Sequence, residues 1–268
     1  PLLSTVFFAI GDPLRRRLRK MGSLIQHGWE NLLAFTYPNT CRICEEWPAT
    51  QAEGYVCGTC WTRPGAIQFI NEPCCQRCGM PFPTESSGPF TCENCRDLSL
   101  PFDWARASVR ATPFVLNIVH RYEYSGHRWF EPFLIDILSR MVGASVSILE
   151  WDVLIPIPLH SVKRRDREFN QAERLATALS KRFGWPVLSE VVVRTSYTES
   201  QTHLSRRARV ANVKSAFSPG KRAASVRGLR ALIVDDVLTT GSTAGAVAEV
   251  LSAIGAKRSA VVTVARGL

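Results

Sequence analysis

The sequence predicts an α/β protein: a mostly parallel sheet with helices on both faces, preceded by a small metal-clamped module. Two patterns predict this. From residue 104 onward, apolar strand runs alternate with segments whose apolar residues recur at helical spacing. Before them, all nine cysteines fall between positions 41 and 95, eight of them in four CxxC pairs. A third pattern locates a site. The stretch ALIVDDVLTTGSTAGAVAEVLSAI (231–254) reads as strand, paired carboxylates, hydroxyl-rich loop and helix.

The 268 residues suffice for one core of moderate size plus a small appended module. With 46% hydrophobic and 21% charged residues the chain reads as soluble and globular, and no apolar run approaches a membrane span. A net charge of +10 favours anionic partners, either phosphorylated small molecules or nucleic acid, and charge alone does not choose between them. At the N-terminus, apolar residues 1–10 precede the basic run 15–20, the reverse of a secretory signal. Met21 opens an amphipathic segment (Leu24, Ile25, Trp29, Leu32, Leu33). Residues 1–20 are therefore read as an upstream remnant or trimmed extension, with Met21 as the natural start. Residues 1–36 form the first unit of the reading, an extension and amphipathic helix.

The second unit spans 37–100. Its pairs are Cys41/Cys44, Cys57/Cys60, Cys75/Cys78 and Cys92/Cys95. Each CxxC turn offers two thiolates, and two such turns complete a tetrahedral zinc site. The gaps inside the two halves are alike, 12 residues from Cys44 to Cys57 and 13 from Cys78 to Cys92, which argues for two tandem ribbons. Spacing alone also admits a cross-braced pairing. A disulfide framework would require an oxidising compartment that nothing else in the chain supports, so the reading is cytoplasmic. Cys74 is the odd thiol; spacing to Cys78 favours Cys75 as the ligand. Closed four-thiolate sites hold shape and do no chemistry.

The third unit, 101–268, follows a Pro/Ser/Gly-rich boundary. Strands are expected at 104–111, 153–158, 187–193, 230–234 and 259–265, and helices at 114–124, 129–141, 169–184 and 244–254. A polar, basic stretch runs through 194–220. In sheets of this class, ligands sit at the carboxyl ends of strands. Asp235 and Asp236 lie at one such end, and Pro156 to Arg167 at another. Backbone N–H groups of Thr239, Thr240, Gly241, Ser242 and Thr243 can cradle a phosphate at the positive end of the next helix. The GxxxxGK[ST] and GxGxxG loops of other nucleotide folds are absent. Two carboxylates beside a phosphate cradle call for a second group, and ribose hydroxyls fit, since they donate to carboxylates.

The string VDDVLTTGST resembles the phosphoribosyl pyrophosphate (PRPP) loop of type I phosphoribosyltransferases. Together with the CxxC pairs and the PIPLH and FNQA segments, in this order, it resembles the ComF family (competence protein ComFC and its GntX-type relatives) over about residues 21–268. The resemblance implies a double zinc ribbon ahead of a phosphoribosyltransferase domain. It further implies a role in DNA uptake and natural transformation or in nucleotide salvage.

For the site, the resemblance implies PRPP with Mg2+ at Asp235, Asp236, Val237, Leu238 and 239–243, and a pyrophosphate-side loop with Pro158, Leu159, Lys163, Arg164 and Arg165. Arg167 and Arg206 join the two aspartates as catalytic candidates, Arg206 from a mobile loop that also holds Gln201, Leu204, Arg207, Arg209 and Asn212. Two positions depart from the family pattern. Glu168 stands where the family commonly has glycine, and Glu123 where it commonly has lysine. Both place negative charge where an anion is expected. A non-catalytic reading, with zinc ribbons and basic surface holding single-stranded DNA, and a scaffold reading, with the cysteine module docking a competence helicase or recombination protein, stand as alternatives.

Overall fold

The computed structural model describes residues 39–82, 90–96, 100–124, 126–160, 162, 169–196 and 216–267. The expected N-terminal helix and the reading of Met21 fall outside them. The cysteine module contributes two short helices, α1 (Gly58–Thr62) and α2 (Glu93–Arg96). The main unit follows as β1 (Ala105–Arg110), α3 (Pro113–Tyr124), α4 (Glu131–Ser145), β2 (Val153–Pro156), α5 (Gln171–Phe183), β3 (Val192–Arg194), β4 (Phe217–Pro219), β5 (Arg230–Leu238), α6 (Ser242–Ala253) and β6 (Arg258–Arg266).

Four strands form one parallel sheet in the order β1-β6-β5-β2. β5 sits between two partners and is buried on both faces, so its sequence is a continuous apolar run rather than an alternating one. The run still alternates in what it touches. Leu232 and Val234 join Ala260, Val262 and Val264 in the core under α3, α4 and α5, whereas Ala231, Ile233 and Val261 face α6. Two helical layers on one sheet follow directly.

The helices on the first face are tied together by a small polar network. The Arg174 guanidinium pairs with the Glu131 carboxylate, and the Tyr122 hydroxyl donates to the same carboxylate at 3.2 Å. Burial pushes the Tyr122 phenol well above its ordinary pKa, so it stays a donor. α5 begins at Asn170, whose side chain accepts from the Ala172 N–H at 3.0 Å, and it ends at Gly184 in the left-handed conformation.

The expected strand 187–193 is divided. Val187 makes an isolated parallel bridge to Leu154, extending the sheet beyond β2 by one residue, and the chain then turns. Val192–Arg194 instead pair antiparallel with Phe217–Pro219 in a separate two-stranded sheet. Apolar content alone did not reveal the break, because Val191 and Val192 remain buried against α6 and its neighbours.

The cysteine module closes the free edge of the sheet. Ile70 donates its N–H to Ser108 O at 2.9 Å and Arg110 donates to Gln68 O at 2.8 Å, so residues 68–70 run antiparallel to β1. An open parallel edge is a template for unwanted pairing, and here the chain's own upstream segment covers it. Farther down β1, Ala105 donates its N–H to Arg77 O at 2.8 Å. Gly79, in the left-handed conformation, lies so close that a β-carbon there would sit 2.7 Å from Ala105 O.

At the foot of β5, Arg230 donates its backbone N–H and its guanidinium to the Asp152 carboxylate at 2.6–2.9 Å. The pair clamps the start of β5 to the start of β2 and holds the Asp152 carboxyl down to about 2. A depressed carboxyl contributes stability above its unfolded pKa of about 4, and that contribution fades as pH falls toward the folded value. The melting-temperature difference between wild type and Asp152→Asn is expected to be constant from about pH 5 to 7 and to vanish as pH approaches 2. Thermal melts across that range check this.

Candidate functional site

β5 outlasts its partner β2, which ends opposite Val234, and the first polar side chains after its apolar run are Asp235 and Asp236. Asp236 is 9% exposed, and one of its oxygens accepts from the Val237 N–H at 2.6 Å, which fixes the carboxylate against its own backbone. Both aspartates line a cleft of about 160 Å³ whose other walls include Pro158, Leu159, Asn170, Thr243, Glu123 and Arg194. Five chain segments meet there: the end of α3, the loop after β2, the start of α5, β3, and the end of β5 with the turn into α6.

Local bonding explains the meeting. Ile157 donates its N–H to Val234 O at 3.0 Å, continuing the β2–β5 ladder one residue past the strand. Asn170 uses one end of its amide to cap α5 and the other to donate to Ile157 O at 3.0 Å. The residue that starts the helix therefore also pins the loop carrying Pro158 and Leu159. Gln171 donates to Glu123 O at 3.2 Å and so fastens the end of α3 to the same wall.

The turn after β5 leads directly into the N-terminus of α6. Gly241 caps α6 with φ 79°, a conformation that glycine takes without strain. The Thr240 and Ser242 hydroxyls bond one another at 2.7 Å, and Ser242 N–H reaches Thr240 Oγ1 at 3.3 Å. The first N–H groups of the 12-residue α6 have no intrahelical acceptors and point out of its positive end, with Thr243 on the cleft wall. Leu238 plays a different part from its neighbours: its side chain is buried in the core on the α6 face.

Sequence reasoning placed Pro158, Leu159, Asp235, Asp236 and Thr243 at the site, and the fold brings these five to one cleft. It also marked Glu123 as an acid near the anion site, and Glu123 lines that cleft. Lys163, Arg164, Arg165, Arg167 and Glu168 fall outside the described residues, as do Gln201, Leu204, Arg206, Arg207, Arg209 and Asn212. Arg194 was missed as a site residue. It opened what read as a polar, basic stretch; in the fold it belongs to β3, pairs antiparallel with Phe217 of β4 and lines the cleft.

The cysteines form two clusters in tandem, Cys41/Cys44/Cys57/Cys60 and Cys75/Cys78/Cys92/Cys95, each with its sulfurs within 4.8 Å of one another. This settles the pairing against a cross-brace. A tetrahedron with Zn–S bonds of 2.3 Å has edges of about 3.8 Å. The Cys41–Cys60, Cys44–Cys57 and Cys78–Cys92 separations are 3.8, 3.7 and 3.6 Å. Backbone N–H groups of Cys57 and Cys92 point at Cys41 Sγ and Cys75 Sγ at 3.3 and 3.4 Å. Donors of this kind favour thiolates: the Glu46 and Trp47 backbone lowers Cys44 to about 6, while burial, less opposed, raises Cys60 and Cys95. The donor set and its dimensions fit zinc. Cys74 stands outside both clusters, half-buried, with its thiol raised by burial.

Comparison with known proteins agrees with this arrangement. Residues 32–97 match the double zinc ribbon domain and residues 170–268 the phosphoribosyl transferase domain. The DNA utilization protein YhgH of Salmonella typhimurium is 31% identical over 226 residues, covering 82% of this chain and 94% of that protein. Competence protein F of Haemophilus influenzae is 30% identical over 152 residues, 56% of this chain and 66% of that one.

The chain belongs to the ComF family. Purine phosphoribosyltransferase from Pyrococcus horikoshii overlaps 50% of this ComF chain and 70% of its own at 19% identity, with a TM-score of 0.30. Among the described residues of this ComF protein, no helix is long and apolar enough to cross a membrane.

Two zinc ions per chain are expected by elemental analysis. Cys60→Ser and Cys92→Ser are each expected to lower the content to one, while Cys74→Ser retains two. Loss of zinc in Cys74→Ser would remove Cys75 from its assigned place.

Proposed function

We propose that this ComF protein binds PRPP with Mg2+ in the cleft and transfers its phosphoribosyl group. The observation that carries the reading is the position of Asp235 and Asp236. They stand at the carboxyl end of the central strand, on one wall with Thr243 at the positive end of α6. In this reading the 5-phosphate occupies the 239–243 turn and receives the free N–H groups of α6. The ribose hydroxyls donate to Asp235 and Asp236. Pro158 and Leu159 border the pyrophosphate side, where Arg194 supplies positive charge and the basic residues Lys163, Arg164, Arg165, Arg167 and Arg206 are candidates to join it.

Oxygen donors suit Mg2+, and the carboxylates lining the cleft offer them, with Asp235 and Asp236 the residues that would share in holding it. The ion supplies positive charge to the pyrophosphate when bound. Departure of pyrophosphate leaves positive charge on the ribose ring, and the two carboxylates beneath it stabilise that charge. A nucleophile then attacks the anomeric carbon. The names of the curated relatives, DNA utilization protein and competence protein, support a setting in DNA handling.

Calorimetric titration of PRPP with Mg2+ into zinc-loaded protein tests this. Saturable binding is expected in wild type. Asp235→Ala/Asp236→Ala is expected to weaken it about ten- to a hundredfold, the loss of charge-assisted hydrogen bonds to the ribose. Glu123→Gln is expected to tighten binding a few-fold by removing negative charge from the wall of an anion site. A folded wild type with no affinity for PRPP would overturn the proposal.

A second reading rests on a different surface. The Arg42 guanidinium lies over the Tyr55 and Trp129 rings at 5.6 and 5.9 Å, His127 stacks on Trp129 at 4.3 Å, and Arg121 donates to Arg42 O. Interleaved cations and aromatics of this kind hold single-stranded nucleic acid by phosphate contact and base stacking. Arg42→Ala is expected to weaken oligonucleotide binding and to reduce the slope of log K against log salt by roughly one. Filter-binding titrations at several salt concentrations read both.

A further inference from the structure

Arg266, the last residue of β6, is 2% exposed, and among the described residues it has no carboxylate partner. A buried cation is costly unless opposite charge or oriented dipoles surround it. Arg266 finds both, in two places at once. On one side Nε donates to Cys78 O at 3.1 Å and Nη2 points to Cys78 Sγ at 3.6 Å. On the other, Nη1 donates to Leu238 O at 3.0 Å and to Thr239 O. The first set belongs to the second four-cysteine cluster, and the second set is the hinge from which the 239–243 turn departs β5.

The charges complete the argument. Four thiolates around one Zn2+ carry a net charge of −2, and among the described residues no carboxylate pairs with Arg266. The tetrathiolate centre is thus the counter-ion of the buried guanidinium. The same guanidinium holds the two carbonyls that orient the phosphate turn. Neighbouring contacts stiffen the link. Gly267 donates its N–H to Leu238 O at 2.8 Å, and a β-carbon on Gly267 would stand 3.1 Å from Thr239 Cγ2. Leu100, just past the second cluster, packs against it and lies 3.7 Å from a β-carbon built on Gly241. Among the described residues the first cluster has no such connection: Cys41, Cys57 and Cys60 share a core with α4.

We propose that Arg266 is a positioning residue that couples the second cysteine cluster to the phosphate turn, so that metal in that cluster sets the conformation of 238–243. The consequence for PRPP affinity rests on the reading above; the coupling itself does not. The two clusters are then unequal. The second tunes the site, and the first serves the sheet edge and the α4 face.

The test compares wild type with Arg266→Lys, Cys95→Ser and Cys44→Ser, measuring zinc content, amide hydrogen exchange of 238–243 and PRPP titration. Cys95→Ser and Cys44→Ser are each expected to lose one zinc. Only Cys95→Ser is expected to speed exchange at 238–243, by about tenfold, with a matching loss of PRPP affinity. Arg266→Lys keeps the charge but not the fork, so it is expected to retain two zinc ions and still show faster exchange. Equal effects of the two cysteine variants, or unchanged exchange in Cys95→Ser or in folded Arg266→Lys, would overturn the coupling. Should Arg266→Lys not fold, the contrast between the cysteine variants decides. Should wild type not bind PRPP, the exchange data still read the coupling, and only the proposed function falls.

Discussion

β5 runs between two parallel partners and under two helical layers, and that confinement organises the molecule. Every backbone group along Ala231 to Val234 is committed to β2 or β6, and every side chain to one core or the other. No polar side chain is tolerated in that span without a buried partner. The strand can release polar groups only where its cover ends, and there it presents two carboxylates. The acid pair follows directly on the span paired to β2, which ends opposite Val234. Asp152 and Arg230 do the equivalent work at the other end, closing the foot of β5 with an ion pair at the rim of the sheet.

The cysteine module is an integral layer of this fold. Residues 68–70 pair with β1, the first cluster shares a core with α4, and the second cluster abuts β1 through Gly79 and β6 through Arg266. So small a module has little core of its own, and metal supplies what hydrophobic burial does not. Its placement along β1 means that the order imposed by metal reaches the sheet directly. The buried Arg266 carries it one strand further, to the turn after β5.

Function in this ComF protein is a matter of convergence at one edge. A helix terminus, a pair of carboxylates and a proline-containing loop face one another across a small cleft, each held by bonds made for the fold itself. Asn170 shows the economy of the design: one amide caps α5 and also fixes the loop after β2. Glu123 adds a third carboxylate to the cleft that Asp235, Asp236 and Arg194 line, so the cleft is less positive than the net charge of +10 suggests.

The sequence by itself determined the layered α/β architecture, the eight clustered cysteines and the acid pair before a glycine-containing turn into a helix. Each of these is written in local pattern: helical or strand periodicity, CxxC spacing, and a strand–loop–helix string within 24 residues of chain. Tertiary structure alone decided the rest. The division of the apolar stretch 187–193 depends on which partner each half finds: Val187 bridges to Leu154, and Val192–Arg194 pair with Phe217–Pro219. Arg194 opens a polar, basic stretch in the sequence, and its pairing in β3 accompanies its place on the cleft wall. Arg266 lies just past the strand expected at 259–265, yet it is buried, with Cys78, 188 positions earlier, beside its guanidinium. Local pattern reports what a segment can form; the meaning of a charge depends on what long-range folding sets beside it.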